Sequence, residues 1–90
     1  MPRNELRDNL TRIAIDIANY VADQDAAYGS SWKRRGGTGA FMVKARKFDR
    51  IENQIKDKAY DIFSKKKDEG FLDDVNDLIG YLLLISNELE

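Results

Sequence analysis

Apolar residues recur at steps of three and four in three stretches of the chain. Nowhere do they alternate with period two for long enough to make a strand, so the fold is predicted to be all-α. In the first stretch Leu6, Leu10, Ile13, Ile17, Tyr20 and Val21 share one face. Asn4 stands where an N-cap belongs and the pattern ends at Tyr28-Gly29, which predicts a helix over about 4–27. In the second, Phe41, Ala45, Phe48, Ile51, Ile55, Ala59 and Ile62 mark a stripe over about 40–65. That central helix would be about 37 Å long. In the third, Phe71, Val75, Leu78, Leu82, Ile85 and Leu89 form a stripe over about 71–89, with Asp73 or Asp74 suited to its first turn.

Two breaks separate these helices. The polar run Lys65-Lys66-Lys67-Asp68-Glu69-Gly70 reads as a turn in which Gly70 supplies a positive φ and the lysines face the C-terminal dipole of the second helix. The segment 29–39 differs in kind: Gly-Ser-Ser-Trp-Lys-Arg-Arg-Gly-Gly-Thr-Gly holds four of the six glycines and the only tryptophan. Ile15, Val43, Leu72, Ile79 and Leu83 fall outside the main stripes. Such extra apolar positions call for a second buried face, so the three helices are expected to assemble into a homo-oligomeric helical bundle.

Ninety residues make one domain, 1–90, with a thin core of its own. The chain has no cysteine and no histidine, which removes disulfides, thiol nucleophiles, the usual zinc ligands and imidazole bases. Any metal would be a hard cation on carboxylates, such as magnesium. The N-terminus has no apolar leader, and the longest apolar run, Tyr81 to Ile85, is too short to span a bilayer. A cytoplasmic protein with no membrane partner is expected.

Charge is uneven along the chain. Residues 1–28 carry three basic and five acidic side chains, 29–50 seven basic against Asp49 alone, and 51–90 five basic and ten acidic. A cationic middle therefore meets an anionic C-terminal part within a net charge of −1, a pattern that bears on partners more than on fold.

Three constellations could carry chemistry. The first is the glycine-rich loop running into the second helix. Backbone N–H groups at Gly29, Gly36 and Gly37, the hydroxyls of Ser30, Ser31 and Thr38, and the charges of Lys33, Arg34 and Arg35 suit a phosphate, while Trp32 offers a face to a base. No Gly-Lys-Ser/Thr closes it, so it is not a Walker A loop. The second is the polar flank of the central helix, where Lys44, Lys47 and Arg50 could grip a phosphate and Glu52 falls on the apolar side between Phe48 and Ile55. The third is Asp74, Asp77 and Tyr81, spaced i, i+3, i+7 on one ridge of the third helix, with Gly80 marking a close approach.

These segments, Ala27-Tyr28-Gly29-Ser30-Ser31-Trp32, Lys47-Phe48-Asp49-Arg50 and Asp74-Val75-Asn76-Asp77-Leu78-Ile79-Gly80-Tyr81, resemble a family found largely in bacteriophages and prophages. It is the nucleotide modification-associated domain of the first type. Its members show Asp-Tyr-Gly-x-x-Trp, then Lys-x-x-Arg, then Asp-x-x-Asp-Leu-x-x-Tyr, and the likeness covers roughly residues 20–85. Ala27 stands where an acidic residue is usual, so no metal or base role passes to that position. The resemblance implies a role in phage nucleotide metabolism or DNA modification inside an infected bacterial host. The carboxylate ridge is also similar to that of all-α nucleotide pyrophosphohydrolases of the MazG type. Those carry a paired Glu-x-x-Glu, whereas here Glu52 is followed one turn on by Lys56.

The leading expectation is a small binding protein that captures a nucleotide, cyclic or modified, without turnover, in the manner of an anti-defence sponge. Its site would comprise Tyr28, Gly29, Ser30, Ser31, Trp32, Lys33, Arg34, Gly36, Gly37, Thr38, Lys44, Lys47, Arg50, Asp74, Asp77 and Tyr81, with no catalytic residue and no required cofactor. The alternative is a magnesium-dependent nucleotide hydrolase using Glu52, Asp74 and Asp77 as ligands. A nucleic-acid or protein interaction module is the third reading, disfavoured because the acidic third helix would repel a phosphate backbone.

Overall fold

In the computed structural model, which describes residues 1–90, three helices carry the chain: α1 (Arg3–Tyr28), α2 (Gly36–Ile55) and α3 (Glu69–Leu89). No strand forms. Short 3-10 turns at Ser31–Lys33, Lys56–Lys58 and Ile62–Lys65 make the connections. No helix is long and apolar enough to cross a membrane.

Helix boundaries depart from the apolar pattern where local backbone chemistry intervenes. α1 starts after Pro2 with no side-chain cap, so Asn4 lies inside the helix. α2 begins at Gly36 and not near 40, drawing Gly36, Gly37 and Gly39 of the glycine-rich segment into its first turn. It also ends ten residues before 65. Ala59 and Tyr60 turn left-handed (φ 56° and 59°), and the Tyr60 N–H reaches back to the Ile55 carbonyl at 3.0 Å. This is a helix stop built without glycine. The reversal lets α3 return along α2, which a continuous helix to 65 would prevent. Ala59 and Ile62 are therefore not part of the α2 stripe. Lys67 (φ 72°), not Gly70, supplies the positive φ before α3. Asp68 is the N-cap, accepting from the Phe71 N–H at 3.1 Å, so Asp73 and Asp74 lie in the second turn.

α2 and α3 run antiparallel. Lys44 lies over Tyr81, Lys47 pairs with Asp77, Arg50 with Asp74, and Ile51 and Ile55 pack on Phe71. Val75 and Leu78 complete that cluster. The face of α2 turned to α3 is thus Ala40, Lys44, Lys47, Ile51 and Ile55, rotated from the expected stripe so that Phe41 and Phe48 are exposed. In this register the α2 cations stand opposite the carboxylate ridge of α3, beside the Ile51, Ile55 and Phe71 cluster. α1 crosses α3 at Gly80, where an added methyl would overlap the Val21 side chain and meet Ile17 Cγ2 at 3.5 Å. The mid-helix glycine is there for that approach.

A single copy closes little of its own surface. Only eight of the 90 residues are buried, and residues 1–16 are exposed throughout. The radius of gyration is 14.7 Å, whereas a compact domain of this length has about 12 Å.

Candidate functional site

A groove of about 700 Å³ opens between α1, the Ser30–Trp32 turn and α3. α1 supplies Asp16, Tyr20, Gln24 and Tyr28 to it, and α3 supplies Asp73, Asn76, Asp77 and Tyr81.

The turn is built on Asp25. Gly29 ends α1 in the left-handed region (φ 64°), its N–H bonded to the Asp25 carbonyl at 2.8 Å. Ser30 follows, also left-handed at φ 57°. The Asp25 carboxylate holds both sides of this reversal, accepting from Ser30 Oγ at 2.9 Å and from Trp32 Nε1 at 3.3 Å. Those two bonds offset the cost of a non-glycine left-handed residue, about 1–2 kcal/mol. They also fix the half-buried indole at the groove wall.

Behind the aromatic wall lies Lys44. Its side chain is 93% buried by the 7% exposure that remains, and its Nζ has no hydrogen-bond acceptor. The ammonium sits 3.2 Å from the centroid of the Tyr81 ring and 5.2 Å from that of Trp32. Burial, reinforced by the neighbouring Lys47 charge, lowers its pKa from 10.5 to about 8. The ring faces stabilise the cation that water and carboxylates do not reach. One turn on, Lys47 Nζ meets Asp77 Oδ2 at 3.3 Å. Beyond that, buried Asp74 takes Arg50 Nε at 3.3 Å and Gln54 Nε2 at 2.7 Å on the same oxygen. Asp74 and Asp77 therefore hold α2 cations in place.

The sequence-predicted residues divide accordingly. Tyr28, Ser30, Ser31, Trp32, Asp77 and Tyr81 converge on the groove, and Lys44 and Lys47 stand directly behind it. Arg50 and Asp74 lie further along α2 and α3 as a structural pair. Lys33 is tied to Glu88, while Arg34, Gly36, Gly37 and Thr38 are exposed outside the groove. The anion cradle expected of a 29–39 loop is thereby shortened: Gly36 and Gly37 open α2, whose first turn has no side-chain cap. Glu52 is corrected. It is exposed, not on the packed face, because the α2 register turns it away from α3. No three acidic side chains come together closely enough to hold a metal ion, so Glu52, Asp74 and Asp77 do not form the ligand set of the hydrolase alternative within one copy.

Of the groove's polar side chains, Asp16, Tyr20, Gln24, Asp25, Asp73 and Asn76 lie outside the expected site, Tyr20 being read only as part of the first apolar stripe. Asp16, Tyr20 and Gln24 repeat every four residues along one α1 ridge, the signal that could have found them. Asp25 sits two positions before the Ala27 that lacks the expected carboxylate. Comparison of the chain with known protein families, characterised proteins and solved structures finds no match.

Proposed function

We propose that the groove binds a nucleotide and that the protein works by capturing it. The observation that carries this reading is the Trp32 ring. It is pinned by Asp25 on the wall of a groove that also holds Tyr28 and Tyr81, with hydroxyls and carboxylates between the rings. Aromatic faces suit a base. Asp77, Asn76 and Gln24 suit the amino groups of a base and the hydroxyls of a ribose. Phosphates would lie toward Lys33, Arg34 and Arg35, which follow Trp32 directly and lead into the uncapped N-terminus of α2. Sequestration of a cyclic or modified nucleotide, as a phage protein would use to blunt a nucleotide-signalled defence, is the role that fits capture without turnover. The working form is a homo-oligomeric bundle, since Phe41, Phe48, Leu6, Leu10 and Leu82 lie exposed on a single copy.

The other reading, a magnesium-dependent nucleotide hydrolase, would need more than one copy to gather its metal, since no three acidic side chains of a single copy stand close enough together to hold an ion. Native mass spectrometry with linear, modified and cyclic nucleotides, with and without magnesium, separates the two. Capture predicts intact ligand retained without magnesium and quenching of Trp32 fluorescence, both lost in Trp32→Ala. A shortened product that forms only with magnesium would overturn capture in favour of hydrolysis, and no binding by any nucleotide would overturn both.

A further inference from the structure

The accessible surface of one copy is 7207 Å², whereas a folded monomer of this mass exposes about 5,400 Å². The excess, roughly 1,800 Å², is larger than the roughly 800 Å² per partner that a standard protein interface covers. On α3 the uncovered part is an ordered seam. Leu72, Val75, Ile79, Leu82, Ser86 and Leu89 follow one another at steps of three and four, the alternation of a coiled-coil stripe. Leu72, Ile79 and Leu82 keep 55%, 36% and 51% of their surface exposed. The stripe faces neither neighbouring helix: α2 takes Phe71, Asp74 and Tyr81, and α1 meets α3 at Gly80. At the helical period it lies roughly a quarter-turn from the α2 face and more than a third of a turn from Gly80.

Charge decides what covers it. The stripe itself holds no charged residue, as a face buried against another helix requires. Its one polar member, Ser86, can bond a carbonyl one turn back. α3 carries Glu69, Asp73, Asp74, Asp77 and Glu88 with no lysine or arginine, so an anionic bilayer surface would repel it. Cations stand only off its N-terminal end. There Lys65, Lys66 and Lys67 line a hollow of about 760 Å³ together with the apolar Ile62, Phe63, Leu72 and Val75. Lys65 is held by Asp68 at 3.8 Å, which leaves Lys66 and Lys67 exposed. The opposite end of α3 is the complement: its last turn has no basic residue to meet the helix dipole, and Leu89 and Glu90 lie exposed there. Two such helices laid parallel would set lysine run beside lysine run. Laid antiparallel, each lysine run meets the negative end of the other helix.

We propose that two copies pair antiparallel along the outer stripes of α3, with the last turn of each α3 seated in the lysine-lined hollow of the other copy. The two-fold axis passes between Ile79 and Leu82. Ile79 then faces the partner's Leu82, Val75 the partner's Ser86, and Leu72 the partner's Leu89. Leu89 of the partner subunit covers the apolar side of the hollow, while Lys66 and Lys67 stand at the last carbonyls and Glu90 of the partner subunit. This names the face by which copies of the oligomer meet, and it does not depend on what the groove binds.

Light scattering should give the unmodified chain a mass of two copies or an even multiple, and Leu82→Asp should halve it. Leu82 is half exposed in a single copy, so the variant should keep its helical circular dichroism, whereas in the pair it would bury an unpaired carboxylate from each chain. A monomeric unmodified chain, or an unchanged mass in the variant, would overturn the pairing. Cross-linking reads its direction. The chain has no cysteine, so Val75→Cys and Ser86→Cys each introduce the only thiol. Refolded together and treated with a short thiol-to-thiol reagent, the two variants should link to each other and not to themselves. In the antiparallel pair two copies of either position are separated along the axis by about eleven residues, roughly 16 Å. Self-linked species in place of the mixed one would sink the antiparallel arrangement. Neither readout involves a nucleotide, so failure of the groove reading and failure of the pairing are told apart.

Discussion

Replacing Lys44 by methionine should stabilise the protein at neutral pH and remove a specific pH dependence. The unfolded chain binds the Lys44 proton with a pKa of 10.5 and the folded chain with one of about 8. Below pH 8 both states are charged and the folded one carries the whole desolvation penalty. As pH rises through 8 the folded lysine discharges while the unfolded one stays protonated, so stability increases with pH. The full penalty at pH 7 is about 3 kcal/mol, and roughly 1.3 kcal/mol of it should be recovered between pH 7 and pH 9. Methionine has nearly the same length and no charge, and keeps the contact with the Tyr81 and Trp32 rings. Urea unfolding at pH 7 and 9 at fixed protein concentration measures both effects. Lys44→Met should be ~1–3 kcal/mol more stable at pH 7, and its stability should vary less between the two pH values. Equal pH slopes for the variant and the unmodified chain, or a variant less stable at pH 7, would refute the account of Lys44 as a buried cation held at a cost.

Substitutions at two further contacts probe the helix packing. Arg50→Ala leaves the Asp74 carboxylate buried with Gln54 as its only polar partner, whereas Asp74→Ala leaves a mostly exposed Arg50 free to hydrate. Denaturant unfolding should therefore show Arg50→Ala to be the more damaging, by ~1–3 kcal/mol. Gly80→Ala should destabilise by ~1–3 kcal/mol although alanine is the better helix former, because its methyl overlaps Val21. Val21→Ala in the same chain should restore part of the loss, and thermal melts of the single and double variants check this.

What the sequence determined by itself was the part governed by local periodicity. Three apolar stripes without strand alternation made three helices. Tyr28-Gly29 ended the first because a left-handed residue was needed there and glycine supplied it. The i, i+3, i+7 spacing put Asp74, Asp77 and Tyr81 on one ridge, and Gly80 announced a neighbour that proved to be α1. Tertiary contacts decided the rest. Ala59, Tyr60 and Lys67 adopt left-handed conformations that no local propensity favours, because only a reversal after Ile55 returns α3 onto α2. Phe41 and Phe48 read as core, yet in the packed register Lys44, Lys47, Ile51 and Ile55 face α3 and those rings are exposed. Asp25, distant from the Trp32 ring in any sequence pattern, became its anchor once the turn folded back. Helical periodicity records which side chains share a face. Which of two candidate faces meets a neighbour depends on the side chains that neighbour presents, and those are set only when the helices pack.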